Sequence, residues 1–138
     1  MVSIADLENK VLEIASIVWG DKMVMLNESR RMIAEYFSTQ INEMILGYDG
    51  SLPTTEDGGI GQQALTLVPT VTLVDDATLL VEATLTKAHI FTRNLQEVVI
   101  QHRDTSTSKV TPLFRYTFAP LIKNASNEVK LSFIVEVR

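Results

Sequence analysis

The chain has 138 residues, 46% of them hydrophobic and 21% charged, which suits one globular domain of ordinary size and argues against a disordered chain. Its formal net charge of −5 opposes the basic balance that phosphate neutralisation needs, so nucleic acid is not an expected partner. There is no cysteine, hence no disulfide or thiolate chemistry, and no apolar run approaches the roughly 18 residues of a membrane-spanning helix.

The opening stretch MVSIADLENK does not read as a secretory signal, and the lack of cysteine fits folding in a reducing cytoplasm. Ile4, Leu7, Val11, Ile14 and Val18 then recur at alternating spacings of three and four, the pattern of a heptad seam. Ser3 is a fitting N-cap, Asp6 and Glu8 lie in the first turn where the helix dipole favours acids, and Gly20 is a stop signal. This predicts an amphipathic helix that packs on its own domain or contacts a neighbouring subunit, and the five seam residues are the candidate subunit contact. Asn27 reads as the cap of a second helix, on which Met32, Ile33, Tyr36 and Phe37 form an apolar stripe expected in the core. A short strand follows over residues 41–46.

Five of the six glycines, Gly47, Gly50, Gly58, Gly59 and Gly61, fall in the next stretch, GYDGSLPTTEDGGIGQQ. It lacks the Lys-Ser/Thr of a phosphate-binding loop and the alternating acids of a calcium loop. Asp49-Gly50 and Asp57-Gly58 are better read as turns in a connecting segment.

From Leu65 the period falls to two. Leu65, Leu67, Val71 and Leu73 share a face in a first strand, with Pro69 marking an edge or a bulge. Asp75-Asp76 makes a turn. Leu79, Val81, Ala83 and Leu85 define a second strand, read as running on to Ile90 and Phe91, and residues 95–101 a third. DTSTSK (104–109) is a polar hairpin tip. Phe114, Tyr116 and Phe118 alternate on a fourth strand ended by Pro120, and Val129, Leu131, Phe133, Val135 and Val137 on the last. Such alternation marks antiparallel strands with one face buried. The expected fold is α+β: N-terminal helices over 1–46, a glycine-rich connection over 47–64, and an antiparallel β-sandwich of five to seven strands over 65–138.

No catalytic, metal or cofactor residues are assigned. His89 and His102 fall in strand segments without a carboxylate at a recognisable spacing. An enzyme would require a pocket gathering His89 or His102 with Glu97 or Asp104. A carbohydrate- or ligand-binding β-module would draw on Trp19, Tyr36, Tyr48 and Tyr116, which are scattered along the chain.

Three stretches, taken together, resemble small tailed-phage virion proteins of the tail-fibre, collar and adaptor type. They are NESRRMIA (27–34), ILGYDGSLPTTEDGGIG (45–61), and the strand series LQEVVI (95–100), LFRYTFAP (113–120) and 127–138. Val99 stands where a glycine is usual in that pattern, and Tyr48 lengthens the first glycine pair. The resemblance implies a non-enzymatic subunit made in the host cytoplasm and located in the virion. Its partners would be further copies of itself, in a homo-oligomer of closed symmetry, and other virion proteins, with neither nucleic acid nor membrane. A capsid decoration or head-fibre protein is the alternative within the same class.

Overall fold

The structure, a computed structural model, describes Val2–Ser3 and residues 26–138. The helix expected after Ser3, and with it the seam of Ile4, Leu7, Val11, Ile14 and Val18, lies outside the described residues. Ser3 itself belongs to a short strand, β1 (Val2–Ser3).

The described elements are β1, α1 (Asn27–Gln40), β2 (Glu43–Gly47), β3 (Gln63–Leu67), β4 (Thr70–Asp75), β5 (Thr78–Leu85), β6 (Leu95–Arg103), β7 (Val110–Leu121) and β8 (Val129–Glu136). They form two four-stranded sheets, in the orders β1-β8-β5-β4 and β3-β2-β6-β7. Strand pairs β2–β3, β2–β6 and β6–β7 are antiparallel, whereas β1 pairs with β8 in parallel. The chain is therefore mostly antiparallel β with one helix among the described residues, an α+β fold in which six strands, β3 to β8, follow the glycine-rich connection, within the five to seven expected there.

Two compact units divide the chain, one of Met1–Thr39, Val71–Val81 and Phe133–Arg138, the other of Gln40–Thr70 and Glu82–Ser132. Both are discontinuous in sequence. Among its described residues the first buries the apolar side chains of Ala34, Leu79, Val81, Phe133, Val135 and Val137. In α1 the buried side departs from the expected stripe. Ala34 is buried and Ile33 and Phe37 are half-buried, but Met32 and Tyr36 are 72% and 62% exposed. The helix also starts one residue early: the Leu26 carbonyl accepts from Arg30 N at 3.2 Å, so Leu26 is the N-cap and Asn27 the first helical residue.

The second unit contains the whole β3-β2-β6-β7 sheet. Its register lays two apolar rows across all four strands on one face, Leu67–Met44–Ile100–Phe114 and Leu65–Leu46–Val98–Tyr116. On the other face the rows are Thr66–Ile45–Val99–Arg115 and Gln63–Gly47–Glu97–Thr117. Central strand β6 is buried or half-buried along its length, with Leu95, Glu97, Val98, Val99, Ile100 and Gln101 fully buried.

Three expectations are corrected by pairing. The strand read through Leu65–Leu73 is two strands in different sheets, because Val68-Pro69 interrupts the ladder and Pro69 has no N–H to continue it. The strand read to Phe91 ends at Leu85, where Thr86–His89 turns: Thr86 O accepts from His89 N, and Thr86 N donates to His89 Nδ1, both at 3.0 Å. Pro120 does not end β7. The strand runs to Leu121, and it tolerates Pro112 and Pro120 because it is an edge strand whose register slips beside both.

The Asp76–Ala77 link and the 104–109 tip do form turns. Asp75 Oδ1 accepts from Ala77 N, and Asp104 Oδ1 accepts from Ser106 N, Ser106 Oγ and Thr107 N.

Candidate functional site

On the polar face of the β3-β2-β6-β7 sheet Arg115 meets three carboxylates, those of Glu97, Asp49 and Asp57, and the register places it there. Gly47 on β2 stands directly opposite Glu97 on β6. Lacking a side chain, Gly47 leaves the space into which the Glu97 carboxylate turns. A Cβ at Gly47 would stand 2.7 Å from Glu97 Oε2 and press against the Gln62 carbonyl. Glu97 is 0% exposed. Each of its oxygens accepts two hydrogen bonds: Oε1 from Gly61 N at 2.8 Å and Arg115 Nε at 3.2 Å, Oε2 from Asp49 N at 2.7 Å and Gln62 N at 3.0 Å. All four partners are donors, the environment of an ionised carboxylate.

Arg115 lies diagonal to Glu97 on β7, and its side chain is 7% exposed. Besides Glu97, it donates through Nη1 to Ser51 O at 3.1 Å and Asp57 Oδ2 at 3.0 Å, and through Nη2 to Asp49 O at 3.1 Å. The Asp49 carboxylate stands 3.6 Å from Nη2. One planar guanidinium thus grips the 48–62 loop at three residues, a fork geometry that lysine lacks. Burial opposes the Arg115 charge, yet the hydrogen bonds to Glu97 and Asp57 outweigh it and raise its pKa. Asp49 is held below the usual carboxylate range chiefly by Ser51 N–H, and Asp57 chiefly by Thr54 N–H, with Arg115 adding to both.

The loop closes on itself around these anchors. Tyr48 N donates to Gln62 O at 2.9 Å, and Gly61 passes so close to Asp49 that a Cβ there would stand 2.7 Å from the Asp49 Cβ. Arg93 lies 4.5 Å over the Tyr48 ring and donates to Gln62 Oε1 at 2.9 Å. An open cleft of about 240 Å³ runs beside Asp49, Ser51, Asp57, Gly58–Gly61 and Arg115. Its charged groups already face one another and the main chain.

At the same end of the sheet, Lys123 is 0% exposed and donates from Nζ to His89 O and Asn124 O, both at 2.7 Å. With Phe91 N donating to Lys123 O at 3.1 Å, this ties the 86–94 segment to the segment after β7. A buried ammonium must find acceptors, and here they are carbonyls.

The residues that an enzyme would need are engaged separately. His89 accepts from Thr86 N. His102 Nδ1 lies 2.7 Å from Gln40 O. Glu97 holds the loop, and Asp104 holds the hairpin tip. His89 sits in a turn rather than the strand expected. Among the aromatics considered for a ligand platform, Tyr48 lies under Arg93, Tyr116 stacks on Phe118, Tyr36 is on α1, and Trp19 lies outside the described residues. Among the described residues no cluster of three or more His, Asp or Glu could hold a metal ion, and no helix is long and apolar enough to cross a membrane.

In sequence, Arg115 is marked only by its place in LFRYTFAP. The signal available was a lone Arg between aromatics on one alternating strand and a lone Glu within LQEVVIQ on another. Comparisons with protein-family models, with curated proteins and with solved structures found no match.

Proposed function

We propose that the protein is a non-enzymatic structural subunit of a tailed-phage virion, an adaptor or fibre-attachment piece of the tail, baseplate or neck. It works through protein–protein contacts made in several copies. In this reading the fold is an antiparallel β-sandwich, and Ile4, Leu7, Val11, Ile14 and Val18 supply a subunit seam.

One observation carries the reading. The glycine-rich loop at the centre of the phage resemblance is held rigid by a buried carboxylate and a buried guanidinium that turn inward, toward each other and the loop backbone. Such an arrangement preserves the shape of a surface and leaves the charges engaged. It is what a docking part requires, because a preformed loop loses little entropy on contact.

The test is mass spectrometry and particle reconstruction on virions of the phage encoding the chain, with native mass of the purified protein. Several copies at the tail, baseplate or neck are expected, and density on the capsid would favour the decoration role. Absence from purified particles together with a strict monomer in solution would overturn the proposal.

A further inference from the structure

The 48–62 loop leaves β2 and enters β3 at the end of the sheet where the 86–94 segment enters β6 and the 122–128 segment leaves β7. It contributes no buried apolar side chain: Tyr48 and Ile60 are half-buried, and Leu52 is 84% exposed. What holds it is charge. Six hydrogen bonds tie it to two side chains of the sheet. Glu97 accepts from Asp49 N, Gly61 N and Gln62 N, and Arg115 donates to Asp49 O, Ser51 O and Asp57 Oδ2. Outside that clamp, Arg93 donates to Gln62 Oε1 and Gln96 Nε2 donates to Tyr48 O at 3.4 Å. A segment with few buried apolar contacts opens locally at a free energy set by the bonds that tie it down. The sheet itself does not share this dependence. Its rows Leu67–Met44–Ile100–Phe114 and Leu65–Leu46–Val98–Tyr116 lie on the face away from the clamp.

The clamp works only while its carboxyls are ionised. Glu97 meets donors alone, so a proton on either oxygen would confront an N–H group and remove the buried counter-charge of Arg115. Asp49 and Asp57 face Arg115 of β7 and each other. Arg93 of the 86–94 segment lies over Tyr48, Lys123 of the 122–128 segment is turned to carbonyls, and Glu56, Lys87 and Glu128 are exposed. Both aspartates are held below 3.8, Asp49 first by Ser51 N–H and Asp57 first by Thr54 N–H, with Arg115 adding to each. Groups depressed in this way stabilise the closed loop above 3.8, and their contribution is lost as pH falls through the folded values. We infer that the 48–62 loop is an acid-released strap: the Glu97–Arg115 clamp holds it shut near neutral pH, and protonation of Glu97, Asp49 and Asp57 lets it open as one unit while the sheet stays folded. The surface that the loop presents is offered near neutral pH and withdrawn in acid. This holds whether or not the chain is a virion subunit.

Amide NMR of the full chain, titrated from about pH 7 to about pH 2.5 alongside far-UV circular dichroism, tests this. The signals of Asp49, Ser51, Asp57, Gly61 and Gln62 should change together below 3.8, while those of Val99 and Ile100 and the dichroism stay native. Asp57→Asn keeps the size of the side chain and removes one charge from Arg115. It should raise the open fraction at neutral pH roughly threefold to tenfold, read as faster hydrogen exchange at Gly61 and Gln62 with unchanged exchange in β6. Arg115→Met should leave the loop open at every pH; if that variant does not fold, Asp57→Asn decides by itself. Loop and sheet signals lost in a single transition, loop signals native down to acid unfolding, or Asp57→Asn without effect on loop exchange would each overturn the inference. None of these outcomes bears on whether the chain is found in particles, so the virion proposal is tested separately.

Discussion

A methyl group added at Gly47 would occupy the space that the Glu97 carboxylate fills, with the Gln62 carbonyl closing the other side. Neither neighbour can yield without breaking bonds to the loop, so Gly47→Ala should cost about 1–3 kcal/mol. A urea midpoint equal to that of the parent would show that the site relaxes freely. Glu97→Gln is more severe, because an amide NH₂ would confront backbone N–H donors and leave Arg115 without its buried counter-charge. We expect a loss of about 3–5 kcal/mol, with faster hydrogen exchange at Asp49, Gly61 and Gln62; unchanged exchange at those amides would refute the clamp. Asp104 gives a pH prediction. Its bonds from Ser106 and Thr107 push its carboxyl from 3.8 down to about 2. A pKa depressed in the folded state stabilises it above the unfolded value. The contribution is therefore present above 3.8 and is lost as pH falls toward 2. Asp104→Asn should flatten the acid limb of a stability–pH profile in that window. Glycines in this loop were conspicuous in sequence, but the reason for Gly47 was not, because it lies in a residue 50 positions downstream on another strand.

At the scale of the element, α1 shows an unused opportunity. Its N-cap is Leu26, 67% exposed, where an acceptor side chain would satisfy open N–H groups and meet the positive end of the dipole. Leu26→Asp should stabilise the protein by roughly 0.5–2 kcal/mol, read as a raised thermal midpoint; no rise would mean the first turn is capped otherwise. Sequence placed the start of this helix to within a residue because Asn, Glu and the apolar spacing are local signals. It erred on the buried side: Met32 and Tyr36 have the same periodicity as Ile33 and Phe37, and only packing chooses between adjacent stripes. Alternation likewise revealed β5, β7 and β8, since a half-buried strand writes its period into its side chains, whereas β6, buried on both faces, reads as a near-continuous apolar run. The ends of β5 and β7 were misplaced. The stop at Thr86 depends on a turn closed by His89, and the passage through Pro120 depends on β7 lying at a sheet edge, where a missing N–H breaks no ladder bond.

For the whole molecule, the order β3-β2-β6-β7 and the burial of β6 on both faces make this strand the expected slowest-exchanging element. Hydrogen exchange followed by mass spectrometry should find residues 95–101 protected longest. Earlier protection loss there than in β7 would contradict the topology. The sequence alone indicated an α+β class, strands with a helical part ahead of them, of which the Asn27–Gln40 helix is described, and it located the glycine-rich connection that follows. Those properties reside in composition and in periods of two and 3.6, which neighbouring residues express together. Tertiary structure alone decided that residues 65–73 feed two sheets, that Glu97 and Arg115 meet under the loop, and that three connections gather at one end. Each of these follows from strand pairing across long stretches of chain, where a register shift of one residue would turn Glu97 to the apolar face and leave Gly47 opposite a valine.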